Sequence, residues 1–137
     1  MVSSTRPGGH RVLVVEDDAS LRRLLEMRLA ARGHTVRLAE DGNAGLALLQ
    51  GWRPDVVVSD VMMPRMSGLS LCRAIRADAT LQDLPVILLT ARPFDSDVQE
   101  VLDLGGISFM NKPFDAGALL AALEDSVRGV VTTSIDA

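Results

Sequence analysis

Five polar residues of this chain have the types and positions to do chemistry together: Asp17, Asp18, Asp60, Thr90 and Lys112. Each stands where a short apolar run gives out. Residues 12–15 run into Glu16-Asp17-Asp18, residues 56–58 into Ser59-Asp60, residues 86–89 into Thr90-Ala91, and residues 107–110 into Asn111-Lys112-Pro113. An Asp at a strand end can signal nothing more than a turn, so Asp60 alone carries little. As a group the residues say more. Three carboxylates brought close repel one another, which is tolerable only when a cation joins them. Oxygen ligands without His or Cys suit Mg²⁺, held typically by a few carboxylates, waters and a substrate phosphate. The Lys112 ammonium and the Thr90 hydroxyl suit phosphate oxygens. A carboxylate nucleophile beside Mg²⁺ and a lysine is the equipment for forming an aspartyl phosphate.

The basic residues point the same way. Thirteen of the fourteen are Arg, and Lys112 is the only Lys. A compact ammonium kept in so Arg-rich a chain fits a tight site that a broad planar fork would fill poorly.

These residues meet only if the runs are parallel strands. The β-branched stretch 56–58 reads as a strand buried on both faces, as in a parallel sheet. Strands are predicted at 11–15, 35–39, 56–60, 86–90 and 107–110. Between them lie helical patterns. The first is capped by Ser20, carries Leu21, Leu24, Leu25 and Leu29, and stops at Gly33. The second covers 43–50 and the third 68–77. The fourth opens at Asp95-Ser96-Asp97 and ends at Gly105-Gly106, and the fifth runs from Asp115 to Gly129. Such alternation implies right-handed crossovers and a doubly wound α/β fold of five parallel strands and five helices. In open sheets of this kind, ligands bind outside the carboxyl ends of the strands. Residues 1–10 read as a flexible leader, 11–128 as one domain, and 129–137 as a loose tail.

Composition narrows the function further. At 137 residues the chain suits one domain with a proper core. A net charge of −4 and a pI near 5.0 argue against direct nucleic-acid binding. No stretch approaches a membrane span or a signal peptide, so a cytoplasmic location is expected. Cys72 has no partner for a disulfide and reads as core filler. Neither G-x-G-x-x-G nor G-x-x-x-x-G-K is present, which counts against a nucleotide-binding fold. A phosphatase or mutase with an aspartyl intermediate would place a second Asp two residues past the nucleophile, and position 62 is Met.

At this point the residues resemble the receiver domains of two-component response regulators. The landmarks are Glu16-Asp17-Asp18, Asp60 followed by Met62-Met63-Pro64-Arg65-Met66-Ser67-Gly68, Thr90-Ala91, and Lys112-Pro113-Phe114, in order from about Arg11 to Val127. The resemblance implies the strand order 2-1-3-4-5. It further implies a phosphoacceptor rather than a turnover enzyme, with slow autodephosphorylation. Asp60 would take a phosphoryl group from a histidine kinase or histidine phosphotransfer protein. Asp17 or Asp18, with Asp60 and the backbone carbonyl of Met62, would hold Mg²⁺. Thr90 and Lys112 would bind the acyl phosphate, and Lys112-Pro113 would be a cis peptide. Thr90 and Phe109 would relay the state to a downstream effector protein. Three departures fall on the output side: Phe109 where Tyr is common, Gly105-Gly106-Ile107-Ser108 before it, and Arg92-Pro93-Phe94. Lacking a hydroxyl to hold it at the surface, Phe109 is expected to sit partly inward. The alternative is a degenerate receiver, a phosphorylation-independent scaffold, which would be expected to lose an acidic residue, Thr90 or Lys112.

Overall fold

The computed structural model describes residues 9–63, 65–91 and 95–134. Most of the leader, Pro64, Arg92-Pro93-Phe94 and the last three residues lie outside them. Strands β1 (Arg11–Val15), β2 (Thr35–Ala39), β3 (Val56–Asp60), β4 (Val86–Thr90) and β5 (Ile107–Asn111) alternate with helices α1 (Ala19–Ala30), α2 (Gly42–Leu49), α3 (Gly68–Ala77), α4 (Ser96–Leu102) and α5 (Ala116–Val127). All pair in parallel, in the order β2-β1-β3-β4-β5.

Strand periodicity splits the core in two. In β1, Leu13 and Val15 face one side, where with Val57, Leu88 and Phe109 they meet α2, α3 and α4 through Leu49, Leu71, Ile75, Val98 and Val101. Val12 and Val14 face the other side, joined by Val58, Ile87, Leu89 and Met110 against Leu25 and Leu29 of α1 and Leu119 and Leu123 of α5. Every residue of β3 and β4 is buried, the signature of central strands covered on both faces. A buried side chain of this size is worth roughly 1.5–3 kcal/mol of transfer free energy, so the two layers fix the register of the strand ends.

The helix starts are set by acidic and hydroxyl caps. Asp18, not the expected Ser20, caps α1, accepting from the Ser20 and Leu21 amides. Asp41, Ser67, Asp95 and Asp115 cap α2 to α5.

Two differences concern the ends. Gly9 and His10, read as leader, are tied down: the His10 amide donates to His34 Nδ1 at 2.9 Å, and the Thr35 amide to the His10 carbonyl at 2.9 Å. At the other end, Thr133–Ser134 forms a sixth strand, β6, parallel to β5. The Phe109 amide donates to the Thr132 carbonyl at 2.8 Å, and the Thr132 amide to Ser108 Oγ at 2.9 Å. The tail is therefore partly sheet. No helix among the described residues is long and apolar enough to cross a membrane.

Candidate phosphoacceptor site

Asp60 is the last residue of β3, and only 6 % of its surface is exposed. Neighbouring strands fix its surroundings. β1 ends one residue before Glu16, whose amide donates to the Ala39 carbonyl at 3.0 Å. β5 ends before Lys112, whose amide donates to the Thr90 carbonyl at 2.8 Å. The strand ends are thus stitched together by backbone bonds, and their side chains converge. Lys112 Nζ lies 3.4 Å from Asp60 Oδ1 and 3.5 Å from Glu16 Oε1. Thr90 is fully buried at the end of β4, and the Lys112–Pro113 bond is cis.

The acidic cluster consists of Glu16, Asp17 and Asp60, each offering an oxygen within 4.8 Å of the others. Asp17 and Asp60 were anticipated in it. Asp18 lies in the same acidic run, but its carboxylate is engaged by the first turn of α1. Glu16, overlooked as a ligand, takes the third place. Its Oε2 accepts the Asp18 amide at 3.1 Å, and its carbonyl accepts Arg22 Nη1 at 2.8 Å. A preference for Asp at helix N-caps was the available signal that Asp18 belongs to the helix.

Burial sets the electrostatics. It pushes the Glu16 carboxyl up from 4.5 to about 6, reinforced by Asp60 and opposed by the Asp18 amide and Lys112. It also raises Asp60, against the opposing pull of Lys112 and of the Met62 amide, which donates to the carboxylate. One ammonium between two buried carboxylates leaves the cluster short of positive charge. Hard oxygen donors crowded this way fit Mg²⁺.

The sign of the effect can be tested. A raised folded-state value means that Glu16 stabilises the metal-free fold below about pH 4.5, and that this contribution is lost as pH climbs through 6. The loss amounts to about 2 kcal/mol. Urea unfolding in chelator at pH 4.5 and 7.5 is expected to show a larger loss in wild type than in Glu16→Gln, where only the raised Asp60 carboxyl still contributes in that direction. Comparing the two proteins cancels Asp41 and Asp78, whose lowered values act in the opposite direction. Parallel pH profiles would exclude Glu16 as the cause.

Gly68 closes the loop after Asp60. Its amide donates to the Val61 carbonyl at 3.0 Å, and a Cβ there would stand 2.2 Å from the Asp60 carbonyl oxygen. Only glycine permits that approach. On the switch side, Phe109 lies opposite Leu88 on the sheet face that also carries Thr90, and its ring is completely buried.

Comparison with known proteins places this geometry. The sequence profile of the response regulator receiver domain matches residues 12–124. Response regulator MprA of Mycolicibacterium vanbaalenii is 44 % identical over 118 residues, which cover 86 % of this chain and 50 % of that protein. The chain thus spans about half the length of the curated relatives it matches. Among solved structures, chemotaxis protein CheY4 of Vibrio cholerae superposes with a TM-score of 0.78 at 34 % identity, over 85 % of this chain and 97 % of that one. The receiver domain of a signal transduction histidine kinase from Syntrophus aciditrophicus gives 0.80 at 31 %, over 93 % and 97 %. With the fold, the acidic cluster and the strand-end lysine in place, the chain belongs to the response regulator receiver domains of two-component signalling.

Proposed function

We propose that Asp60 accepts a phosphoryl group from a phosphohistidine on a histidine kinase or histidine phosphotransfer protein, and that the domain signals through the resulting acyl phosphate. The observation that carries this reading is one buried strand-end carboxylate set against two other acids and a single ammonium. An Asp60 oxygen forms the new P–O bond as the donor's P–N bond breaks, and the bonding pair stays on the imidazole nitrogen. Asp17, Asp60, Glu16 and the Met62 carbonyl would hold Mg²⁺, which when bound neutralises charge on the phosphoryl oxygens. Lys112 then exchanges part of its contact with Glu16 and Asp60 for the phosphate, as a point charge. Thr90 donates its hydroxyl to the same group, and Phe109, sharing that sheet face, passes the change to an effector protein.

Retention of Asp60, Thr90, Lys112 and two further acids favours this reading over a phosphorylation-independent scaffold. Incubation with Mg²⁺ and acetyl phosphate is expected to add the mass of one phosphate, mapped to Asp60 by borohydride reduction and peptide sequencing. Labelling at another residue, or none, would refute it.

The donor is proposed to dock on α1. Leu24 and Met27 are exposed there, and Leu24 and Arg28 flank an apolar groove that runs past Pro113 and Phe114 to α5. Arg22 is unsuitable for probing this surface, because it is bonded to the Glu16 carbonyl. Arg23 and Arg28 are exposed. Reversing both to Glu should slow phosphotransfer from the protein donor by about tenfold or more, since rim charges act mainly on association rate. Labelling by acetyl phosphate should not change. Equal loss with both donors would place the damage in the site instead.

A further inference from the structure

One described residue between Asp60 and Gly68 holds a conformation that phosphoryl transfer does not by itself demand. Arg65 has φ +65°, in the left-handed region, and is the only non-glycine there among the described residues. For a residue with a Cβ that backbone is unfavourable, and it persists only where the surroundings impose it. The imposing partner belongs to a different element. Arg65 Nε donates to Asp41 Oδ2 at 3.1 Å, and its Nη2 donates to the same oxygen. Asp41 is itself immobilised: it is 4 % exposed, and its Oδ1 accepts the Ala44 amide at 2.8 Å as the cap of α2. The next residue, Met66, packs onto Gly42 so closely that a Cβ at Gly42 would lie 2.6 to 2.8 Å from the Met66 side chain.

Stability does not account for the pair. Arg65 is 62 % exposed, and an ion pair held by so exposed a side chain adds little to stability, too little to explain why an unfavourable backbone is kept. What the contact does achieve is geometric. The Gly68 amide closes the base of the loop on Val61, and Arg65 with Met66 fixes its far side on the start of α2.

We infer that the Asp41–Arg65 pair is a positioning device for the phosphoacceptor loop, holding the segment that carries Met62 in its metal-binding place before the cation arrives. The inference rests on the phosphoacceptor reading above and concerns how the cation finds its site already built. Partners that orient a metal-binding group commonly alter affinity by 10–100-fold when removed.

Calorimetric titration with Mg²⁺ and thermal melts in chelator separate this from a structural role. Arg65→Ala loses the guanidinium and keeps the backbone cost, whereas Arg65→Gly loses both. Melting temperature is expected to follow the backbone, with Arg65→Gly above Arg65→Ala. Mg²⁺ affinity is expected to follow the guanidinium, falling about tenfold in both, with Arg65→Lys between them and wild type. Asp41→Asn, which keeps the cap oxygen, should fall with them, and Asp41→Asn/Arg65→Ala no further. Wild-type Mg²⁺ binding with every variant within twofold of it would overturn the positioning role alone. A wild type that binds no Mg²⁺ would overturn the metal site and the positioning role together.

Discussion

Asp60→Ala is expected to take up no phosphate from acetyl phosphate and, in chelator, to melt no lower than wild type. Loss of an acceptor usually looks like damage, so the second half of the result carries the information. Asp60 is buried beside Glu16 and Asp17, and burial raises its pKa, so near neutral pH its charge is held at a cost that Lys112 only partly offsets. By linkage, the metal-free domain pays for that charge in stability as pH rises through the raised value. Asp60→Asn keeps the shape and removes the charge, and should therefore raise the melting temperature, by roughly 4 °C for each kcal/mol relieved. Mg²⁺ should stabilise wild type by mass action, about 2.7 kcal/mol at one hundred times its dissociation constant, and Asp60→Asn much less. A metal-free Asp60→Asn that melts below wild type would show that the cluster is not under like-charge strain.

Lys112→Ala is expected to slow acetyl phosphate labelling by about 10²-fold, the scale on which one charge-stabilising group is usually felt in a preorganised site. Its ammonium stands within 3.5 Å of both Glu16 and Asp60, and its side chain is 22 % exposed. Without it both carboxyls should rise further, deepening the loss of stability as pH climbs through the Glu16 value of about 6. Lys112→Arg keeps the charge but must seat a planar fork where a compact group sits between two acids. A loss of about tenfold is expected, measured as the rate of mass gain at saturating Mg²⁺. Normal labelling and a normal phosphorylation-dependent response in Lys112→Arg would mean that any cation serves there.

Much of this arrangement is legible in the sequence because parallel strands are written plainly. β3 and β4 open on apolar runs of three and four residues, 56–58 and 86–89, and the polar residues that end them are where the chain must leave the sheet. α3 spans the predicted residues, helped by Ser67 before it and by apolar Leu71, Cys72 and Ile75 on one face. The acidic run at 16–18 is harder. Past Val15 the strand alternation stops, so periodicity no longer says which carboxylate turns inward, and the choice falls to the capping demand of α1. β6 has no pattern to read: its two residues owe their place to the Ser108 hydroxyl and to a free edge on β5, both supplied by distant parts of the chain. Asp41 with Arg65 is equally silent, since the partners are 24 positions apart and only the folded sheet brings them together.

The short sixth strand also sets where this domain can sensibly be cut. Ending a recombinant version at Gly129, where α5 stops, would strip the Phe109 amide of its acceptor and bare the β5 border. An uncovered strand border is a template for other chains. The last turn of α5 is thus the wrong scissors mark, and a boundary after Ser134 leaves the sheet with its own hem.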